Sequence, residues 1–147
     1  MFYCRSGDTE KLALSAAVGA VQARALIRLR RLPEIDTATA GETLTRMRKE
    51  YVAPTEADIL GADAFILAAP PGFTSSSPEL AGFLELIARL KTEGKLQEKV
   101  AAGIANMSSV IFASGCITAS DTSDDPIALG RKVADTVRAL KKQKETP

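Results

Sequence analysis

Five consecutive apolar residues, at positions 65–69, form the centre of the hydrophobic pattern of this chain. A strand that is apolar on both faces is typical of a sheet with helices above and below it. Pro70 and Pro71 end the strand, because proline has no amide proton for the ladder. An uncharged loop, GFTSSS at 72–77, follows, and Pro78 suits the first turn of a helix. The apolar residues of that helix recur at helical spacing: Leu80, Phe83, Leu84, Ile87 and Leu90. The pattern therefore predicts a strand, a polar loop and a helix within 63–91.

The first third of the chain shows the same alternation of strand and helix patterns. Residues 1–3 indicate the end of a strand, and the polar segment CRSGDTEK leads into a helix that Asp8 or Thr9 can cap. The apolar face expected for this helix consists of Leu12, Leu14, Ala17, Val18 and Val21. Residues 25–32 alternate apolar and basic side chains, so we expect a second strand near a sheet edge. The arginines of that strand, Arg28, Arg30 and Arg31, are expected on its solvent side.

The remaining pattern predicts further strands and a closing helix. A polar insertion at 33–62 contains a predicted helix at 41–51 and a short turn before the central strand. Two apolar runs, 100–105 and 108–114, have the character of buried strands, but a parallel crossover needs about a dozen residues between them. These runs form a hairpin, or one lies outside the sheet, or the sequence lacks residues between them. A polar loop, GCITASDTSDDP, then precedes a final amphipathic helix marked by Ile127, Leu129, Val133, Val137 and Leu140.

Composition limits the classes of function that the chain can have. Its 147 residues predict one domain, 1–147, and the net charge of +1 gives no sign of a nucleic-acid or membrane partner. The absence of histidine excludes histidine-based triads and histidine zinc sites. No apolar stretch reaches the roughly 20 residues of a membrane helix, and no signal peptide precedes the first strand, so a cytoplasmic location is expected.

The cysteines and the acidic residues are interpreted as structural. Cys4 and Cys116 lie far apart without metal-ligand spacing, so we expect packing thiols, with a disulfide between them as the alternative. Asp121, Asp124 and Asp125 could suggest a metal ion, but their setting of serine and threonine favours a solvated loop and a helix cap. No metal site is therefore predicted.

Two polar loops follow predicted strands, where open α/β sheets bind their ligands. The loop that begins at Cys4 contains Gly7 directly before a helix, and helix N-termini favour phosphate groups. The alternative is a helix-capping turn without a ligand. For Phe73 in the other loop, the alternative is an aromatic ring that packs on its own helix.

These segments together resemble a known family. YCRSGDTEKLA resembles the phosphate loop of flavodoxin-like proteins. ADAFILAAPPGFTSSSPELAGFLE resembles the second flavin loop of the FMN-dependent NAD(P)H:quinone oxidoreductases, the subgroup first described as Trp-repressor-binding proteins. EGKL with KVAAGIA, and CITASD with PIALGRKVADTVRALKK, continue the resemblance over most of the chain. It implies an α/β fold, a flavodoxin-like doubly wound parallel sheet with helices on both faces, a three-layer sandwich in shortened form.

The resemblance also implies which residues bind FMN. Backbone amides and the hydroxyls of Ser6 and Thr9 would hold the phosphate, within the set Cys4, Arg5, Ser6, Gly7, Asp8 and Thr9. The loop along the isoalloxazine ring would comprise Pro70, Pro71, Gly72, Phe73 and Thr74. A third flavin loop would begin at Asn106, Met107, Ser108 and Ser109. No catalytic side chain is implied, because the flavin carries the chemistry.

Several positions depart from the pattern of that family, among them Lys91, where a tryptophan is usual. Cys4 stands where a hydroxyl residue is usual, Gly72 where an arginine is usual, and Thr74 where a glycine is usual. Asp8 in addition places a carboxylate beside the expected phosphate, and Arg5 can offset its charge.

The resemblance implies an enzyme that reduces a small-molecule quinone by two electrons, with FMN as cofactor and NAD(P)H as co-substrate. It also implies a homo-oligomer, either a dimer or a tetramer, without nucleic acid and without an integral membrane segment. Two alternatives stay open. One is a flavodoxin-type electron carrier, and the other is a flavin-free interaction protein on the same fold.

Overall fold

A parallel sheet runs through the centre of the protein. The computed structural model describes residues 1–35, 40–104, 107–112, 114–119 and 124–146. The first half of the chain contributes three helices and a strand: α1 (Asp8–Gln22), α2 (Glu42–Glu50), α3 (Glu56–Gly61) and β1 (Ala64–Leu67). The second half contributes α4 (Pro78–Thr92), β2 (Val100–Gly103), α5 (Met107–Phe112), β3 (Ile117–Thr118) and α6 (Pro126–Glu145).

The order of the strands is that of flavodoxin-like proteins. β1 pairs in parallel with β2, and β2 pairs in parallel with β3. On the other side of β1, the amide of Tyr3 donates to the carbonyl of Ala68 at 3.0 Å. The segment 1–3 is paired in turn with residues 30–32, since the amide of Leu32 donates to the carbonyl of Phe2 at 2.8 Å. The spatial order is therefore 30–32, 1–3, β1, β2, β3, which is the 2-1-3-4-5 order. The predicted fold class is confirmed.

Helices cover both faces of the sheet, as the two-sided apolar pattern predicts. Phe65 and Leu67 of β1 belong to one core cluster, together with the buried residues of α4 and α5. Ala68 belongs to a second cluster, to which α1 and α6 contribute. Side chains of a strand alternate between its faces, so the two clusters lie on opposite sides of the sheet.

Several predicted elements are confirmed by the structure. α4 begins at Pro78 and buries Leu80, Phe83, Ile87 and Leu90. α2 lies within the predicted range 41–51. The predicted cap of the last helix is Asp125, whose side chain accepts from the amide of Ile127 at 3.0 Å. Asp121 lies outside the described residues.

The face that α1 buries was wrongly predicted. Leu14, Val18 and Val21 are exposed, and α1 instead buries small residues, among them Ala13, Ala16 and Gly19. The cause is the close approach of α6. A Cβ atom on Gly19 would overlap the carbonyl of Ile127, and one on Gly130 would overlap the carbonyl of Ala16. Small side chains therefore form this contact, and the larger aliphatic ones point outward.

The second strand is much shorter than predicted. Residues 25–30 have no regular secondary structure, Leu26 is fully exposed, and Arg31 forms the bridge to Phe2. The neighbouring segment 1–3 offers ladder partners to residues 30–32 alone, so alternation in the sequence does not extend the pairing.

Within the described residues, the run predicted at 108–114 forms a helix and not a strand, and the alternative that places one run outside the sheet is confirmed. The chain leaves β2 at Gly103, where a Cβ atom would overlap the backbone of Met107, and turns at once into α5. Met107, Val110 and Ile111 are buried at the spacing of a helix face. A short apolar run is ambiguous between strand and helix, and here the sharp turn at Gly103 decides for the helix.

Two short elements were assigned wrongly to turns and loops. The turn expected before the central strand is the helix α3, which starts with a capping box between Thr55 and Asp58. The sequence T-x-x-D carries this signal. The loop predicted after residue 114 contains β3, held by the amide of Ala119, which donates to the carbonyl of Ala101 at 3.0 Å.

Candidate functional site

Two loops lie side by side at the carboxyl edge of the sheet. The first loop, residues 4–9, follows the segment 1–3, and the second loop, residues 70–77, follows β1. From the segment 1–3 the chain crosses to residues 30–32 on one side, whereas from β1 it crosses to β2 on the other. The space between the two loops is therefore the topological switch point, where doubly wound sheets bind their ligands.

The first loop presents backbone amides rather than a side-chain cap. Gly7 is the N-cap residue of α1 and has φ 92°, a left-handed conformation that glycine adopts without strain. No side chain among the described residues caps this helix, so the predicted cap by Asp8 or Thr9 is wrong. The first amides of α1 thus keep their hydrogen-bonding capacity, and the helix dipole favours an anion beside them.

A hydroxyl and a carboxylate group of the first loop are bonded to each other. The Ser6 hydroxyl donates to Asp8 Oδ2 at 3.2 Å, and both side chains are exposed together with Arg5. Thr9 is buried at the start of α1. The amides therefore face any anion together with one carboxylate, which the nearby basic residues have to offset.

Arg31 lies beneath the first loop and was not identified as a functional residue. It was expected on the solvent side of a strand, but its residue is 5% exposed. Its Nη2 donates to the carbonyl of Cys4 at 2.7 Å. Burial lowers the pKa of this guanidinium from its usual value. The alternation of basic and apolar residues contained no signal for this inward orientation.

The second loop is a tight turn with one ring that anchors it. Gly72 has φ 90° and is exposed. The amide of Phe73 donates to the carbonyl of Pro70 at 3.2 Å, and the amide of Thr74 donates to the Ser77 hydroxyl at 2.9 Å. The amides of Ser76 and Ser77 are likewise bonded to Thr74, whereas those of Gly72 and Ser75 have no partner within the part of the chain that the structure describes.

Phe73 joins the second loop to the segment 1–3, from which the first loop begins. Its ring lies 5.0 Å from the ring of Tyr3, measured between centroids, with the planes tilted by 37°. It packs across the switch point on the first segment, beside the core cluster of α4.

The start of the expected third loop contributes little exposed chemistry. The Met107 side chain is fully buried in the core. The Ser108 hydroxyl donates to the carbonyl of Gly103 at 2.9 Å, and Ser109 is exposed. Asn106 lies outside the described residues.

Both cysteines are free thiols, as expected of packing residues. Cys4 is buried, with its Sγ 3.6 Å from Sδ of Met47 in α2. Cys116 is half-buried, and burial raises the pKa of its thiol. The first position of the first loop is thus tied to α2 by a contact between two sulfur atoms.

Two cavities lie away from the loops. A cavity of about 820 Å³ lies between residues 23–30, α1, α6 and β1, and a second of about 580 Å³ lies near Lys99 and Lys141. No residue of 4–9, 70–77 or 107–109 lines either cavity. The candidate site therefore rests on the geometry of its loops. Over the described ranges, no group of three or more Cys, Asp or Glu residues could hold a metal ion, and no helix is long and apolar enough to cross a membrane.

Two curated proteins are similar to this chain. One is named NAD(P)H dehydrogenase (quinone) 3, from Rhizobium meliloti (strain 1021), and is 32% identical over 101 residues, which are 68% of this chain and 48% of that protein. The other is named NAD(P)H dehydrogenase (quinone), from Methylocella silvestris (strain DSM 15510 / CIP 108128 / LMG 27833 / NCIMB 13906 / BL2), and is 30% identical over 108 residues, which are 72% of this chain and 54% of that protein. The chain spans about half the length of the curated relatives it matches. No protein-family model matches it.

Proposed function

We propose, because the chain belongs to the family of the NAD(P)H dehydrogenases (quinone), that it is an FMN-dependent NAD(P)H:quinone oxidoreductase. The observation that carries this proposal is the pair of loops at the switch point of a 2-1-3-4-5 sheet, the position at which flavodoxin-like folds hold FMN. A small-molecule quinone as oxidant and a homo-oligomer, dimer or tetramer, belong to the same proposal.

The first loop fits the phosphate end of FMN. The amides at the start of α1 point out of the helix, and left-handed Gly7 lets the backbone curve around an anion. Asp8 opposes a phosphate, whereas exposed Arg5 and buried Arg31 favour one. Because the Ser6 hydroxyl is already bonded to Asp8, we assign the main role in binding to the amides.

The second loop fits the planar end of FMN. Gly72, with no side chain and exposed on its turn, allows a flat ring to approach the backbone, and its amide is available as a donor. Phe73 keeps this turn against Tyr3 and so defines the width of the gap between the loops. The protein would thereby orient the ring and shield one side of it from water.

FMN, when bound, would supply the hydride chemistry between NAD(P)H and a quinone. The protein then has to bind, orient and exclude water. This division of roles suits a chain without histidine, because no imidazole is needed to move a proton.

Two glycines, each the N-cap of a helix, allow a direct test of FMN binding. Gly7 begins α1 in the left-handed region, whereas Gly41 begins α2 in extended backbone with open space where a Cβ atom would lie. A Cβ atom in the left-handed region costs about 1–2 kcal/mol, which the Gly7→Ala loop can relieve by changing its conformation when FMN is absent. Binding then has to restore the strained conformation, and about 1.4 kcal/mol corresponds to a tenfold change in affinity. Titration with FMN, followed by flavin fluorescence, should show Gly7→Ala binding about tenfold more weakly and Gly41→Ala binding unchanged.

If the unsubstituted protein retains no flavin absorbance after reconstitution and desalting, the proposal is wrong. NAD(P)H oxidation with benzoquinone by the reconstituted protein then tests the enzyme activity separately. A one-electron carrier would bind FMN but would not sustain this turnover.

A flavin-free interaction protein is the second candidate, favoured by the Ser6–Asp8 bond. That contact places a carboxylate at the position expected for the phosphate and occupies the hydroxyl that would bind it. This candidate predicts a melting temperature that does not respond to FMN. A ligand at 100 times its dissociation constant would instead stabilise the fold by about 2.7 kcal/mol.

A further inference from the structure

We propose that Arg31 is the positioning residue that holds the first and second loops in one arrangement. It acts on the first loop through the carbonyl of Cys4, and on the second loop through the rings of Tyr3 and Phe73. The inference rests on the FMN site proposed above and assigns to that site a residue that lies outside both loops.

The first contact is a charge-assisted hydrogen bond to the backbone. Arg31 Nη2 donates to the carbonyl of Cys4 at 2.7 Å, in a buried setting. Hydrogen bonds from an ionised donor are short and about twice as strong as neutral ones. The peptide between Cys4 and Arg5, where the first loop leaves the sheet, therefore has a fixed orientation.

The second contact reaches the opposite loop through aromatic rings. Arg31 Cζ lies 5.8 Å from the centroid of the Tyr3 ring, within the range of a cation–π interaction. The same ring is the partner of Phe73, at 5.0 Å. Guanidinium, Tyr3 and Phe73 thus form one continuous packed series that crosses the switch point.

The charges around Arg31 leave a positive excess beneath the first loop. Glu34 is bonded to Arg31, and its other oxygen accepts from Arg48 Nε at 3.1 Å. Glu34 thus faces two guanidinium groups, of which Arg31 is buried and Arg48 is partly exposed. This excess stabilises an anion at the nearby helix N-terminus and offsets the Asp8 carboxylate.

Burial of the Arg31 guanidinium costs free energy of desolvation. This cost argues that the arginine has a positioning role and not a stabilising one. Arg31 Nε is buried and has no partner among the described residues. A buried ion pair can often be replaced by apolar residues without loss of stability. Arg31 has the geometry of a residue that specifies where two loops lie.

Conservative substitutions separate positioning from stability. Arg31→Lys keeps the charge but loses the planar group that can contact Cys4 and Tyr3 together. Arg48→Lys is the matched control, because it makes the same change at the other partner of Glu34 and keeps the charge, and Arg48 has no hydrogen bond to Cys4. Val133→Ala on α6 is a second control that destabilises the core away from the loops.

We expect Arg31→Lys to weaken FMN binding about tenfold, measured by flavin fluorescence, and to accelerate amide hydrogen exchange in both loops without flavin. Arg48→Lys and Val133→Ala should leave the FMN affinity within about twofold of the unsubstituted protein. Unchanged exchange in either loop, or an equal loss of affinity in Val133→Ala, would overturn the proposal. If the unsubstituted protein binds no FMN, the proposed function fails, and hydrogen exchange alone decides the role of Arg31.

A second variant keeps the test informative if Arg31→Lys does not fold. Tyr3→Leu removes the ring between Arg31 and Phe73 but leaves the Cys4 hydrogen bond in place. Exchange should then accelerate in residues 70–77 and stay unchanged in residues 4–9. Equally faster amide exchange in both loops, or unchanged exchange in residues 70–77, would contradict the proposal that Arg31 acts on the second loop through Tyr3 and Phe73.

Discussion

The first and second loops differ in how the surrounding structure supports them. Cys4, Gly7 and Thr9 of the first loop are buried, and α1 continues directly from it. In the second loop, Pro71, Gly72 and the stretch 74–76 are exposed, and Phe73 provides the ring contact that ties it to the first segment. One loop is part of the scaffold, and the other lies on its surface.

This difference suits the two ends of the proposed cofactor site. Binding of a phosphate benefits from amides that are already oriented, since ordering them on binding costs conformational entropy. A site where substrates enter and leave benefits from a segment that can adjust. The rigid loop therefore corresponds to the proposed anchor and the exposed loop to the proposed reaction face.

The largest expected effect comes from the glycines in the helices that follow the two loops. Gly19 of α1 faces the backbone of Ile127, which a Cβ atom would overlap, whereas Gly82 of α4 has open space around it. We expect Gly19→Ala to destabilise the protein by about 3 kcal/mol, because two backbones have to separate. Gly82→Ala should stabilise it by about 0.5–1 kcal/mol through helix propensity. Urea unfolding measures both changes.

Equal changes in the free energy of unfolding for these two substitutions would contradict the comparison of the two loops, since α1 would then be packed no more closely than α4. The FMN affinity of the same two variants tests the comparison further. Gly19→Ala should also weaken FMN binding, because displacement of α1 moves the amides at its start. Gly82→Ala should leave the affinity unchanged.

The comparison of the two loops also shows which parts of the site the sequence predicts. The second loop was located by its strand, its two prolines and the helical spacing after Pro78, which are all local signals. The first loop was also located, but its support was not. The position of α1 depends on the contact of Gly19 with Ile127 and of Gly130 with Ala16, which lie 108 and 114 positions apart in the sequence, and no local pattern contains such contacts.

Arg31 and α5 show the same limit. A buried arginine among alternating residues looks like an exposed one until its partners, Cys4 and Glu34, are known. The run that forms α5 has an apolar pattern that suits strand and helix alike, and the sharp turn at Gly103 decides between them. Tertiary contacts supply what propensity leaves open.

An effect of intermediate size is expected for the contact between the loops. Tyr3 is buried and Phe73 is partly exposed, so Tyr3→Leu should cost more stability than Phe73→Leu. A double-mutant cycle should give a coupling of about 0.5–1.5 kcal/mol, the range for paired aromatic rings. Coupling near zero would show that the second loop is not held by Tyr3. The free energies come from urea unfolding without flavin.

The smallest effect concerns acid and the segment that carries Arg31. The neighbouring Arg30 donates to both carboxylate oxygens of Asp58, from Nε at 2.9 Å and from Nη2 at 3.1 Å. These hydrogen bonds, followed by the one from the Thr55 amide, hold the pKa of Asp58 well below its usual range. Because this pKa is lower in the folded protein than in the unfolded chain, the Asp58 carboxylate stabilises the fold at pH values above the unfolded pKa of about 3.9. This stabilisation is lost as the pH falls below that value.

Asp58→Asn removes the charge that Arg30 binds and should therefore lower the melting temperature by a few degrees at pH 7, for a loss of about 1 kcal/mol, the upper end for ion pairs near the surface. The difference from the unsubstituted protein should shrink below about pH 4, because Asp58 takes up a proton in the unfolded chain there while its lowered pKa keeps it ionised in the folded protein. Glu56→Gln is the control on the side of the second loop, since Glu56 forms a more exposed pair with Arg89 of α4. Its effect at pH 7 should be smaller, because exposed ion pairs contribute little. A larger effect of Glu56→Gln would show that the Glu56–Arg89 pair at α4 stabilises the fold more than the Asp58–Arg30 pair does. The second loop, and not the first, would then lie on the more strongly supported side of the protein.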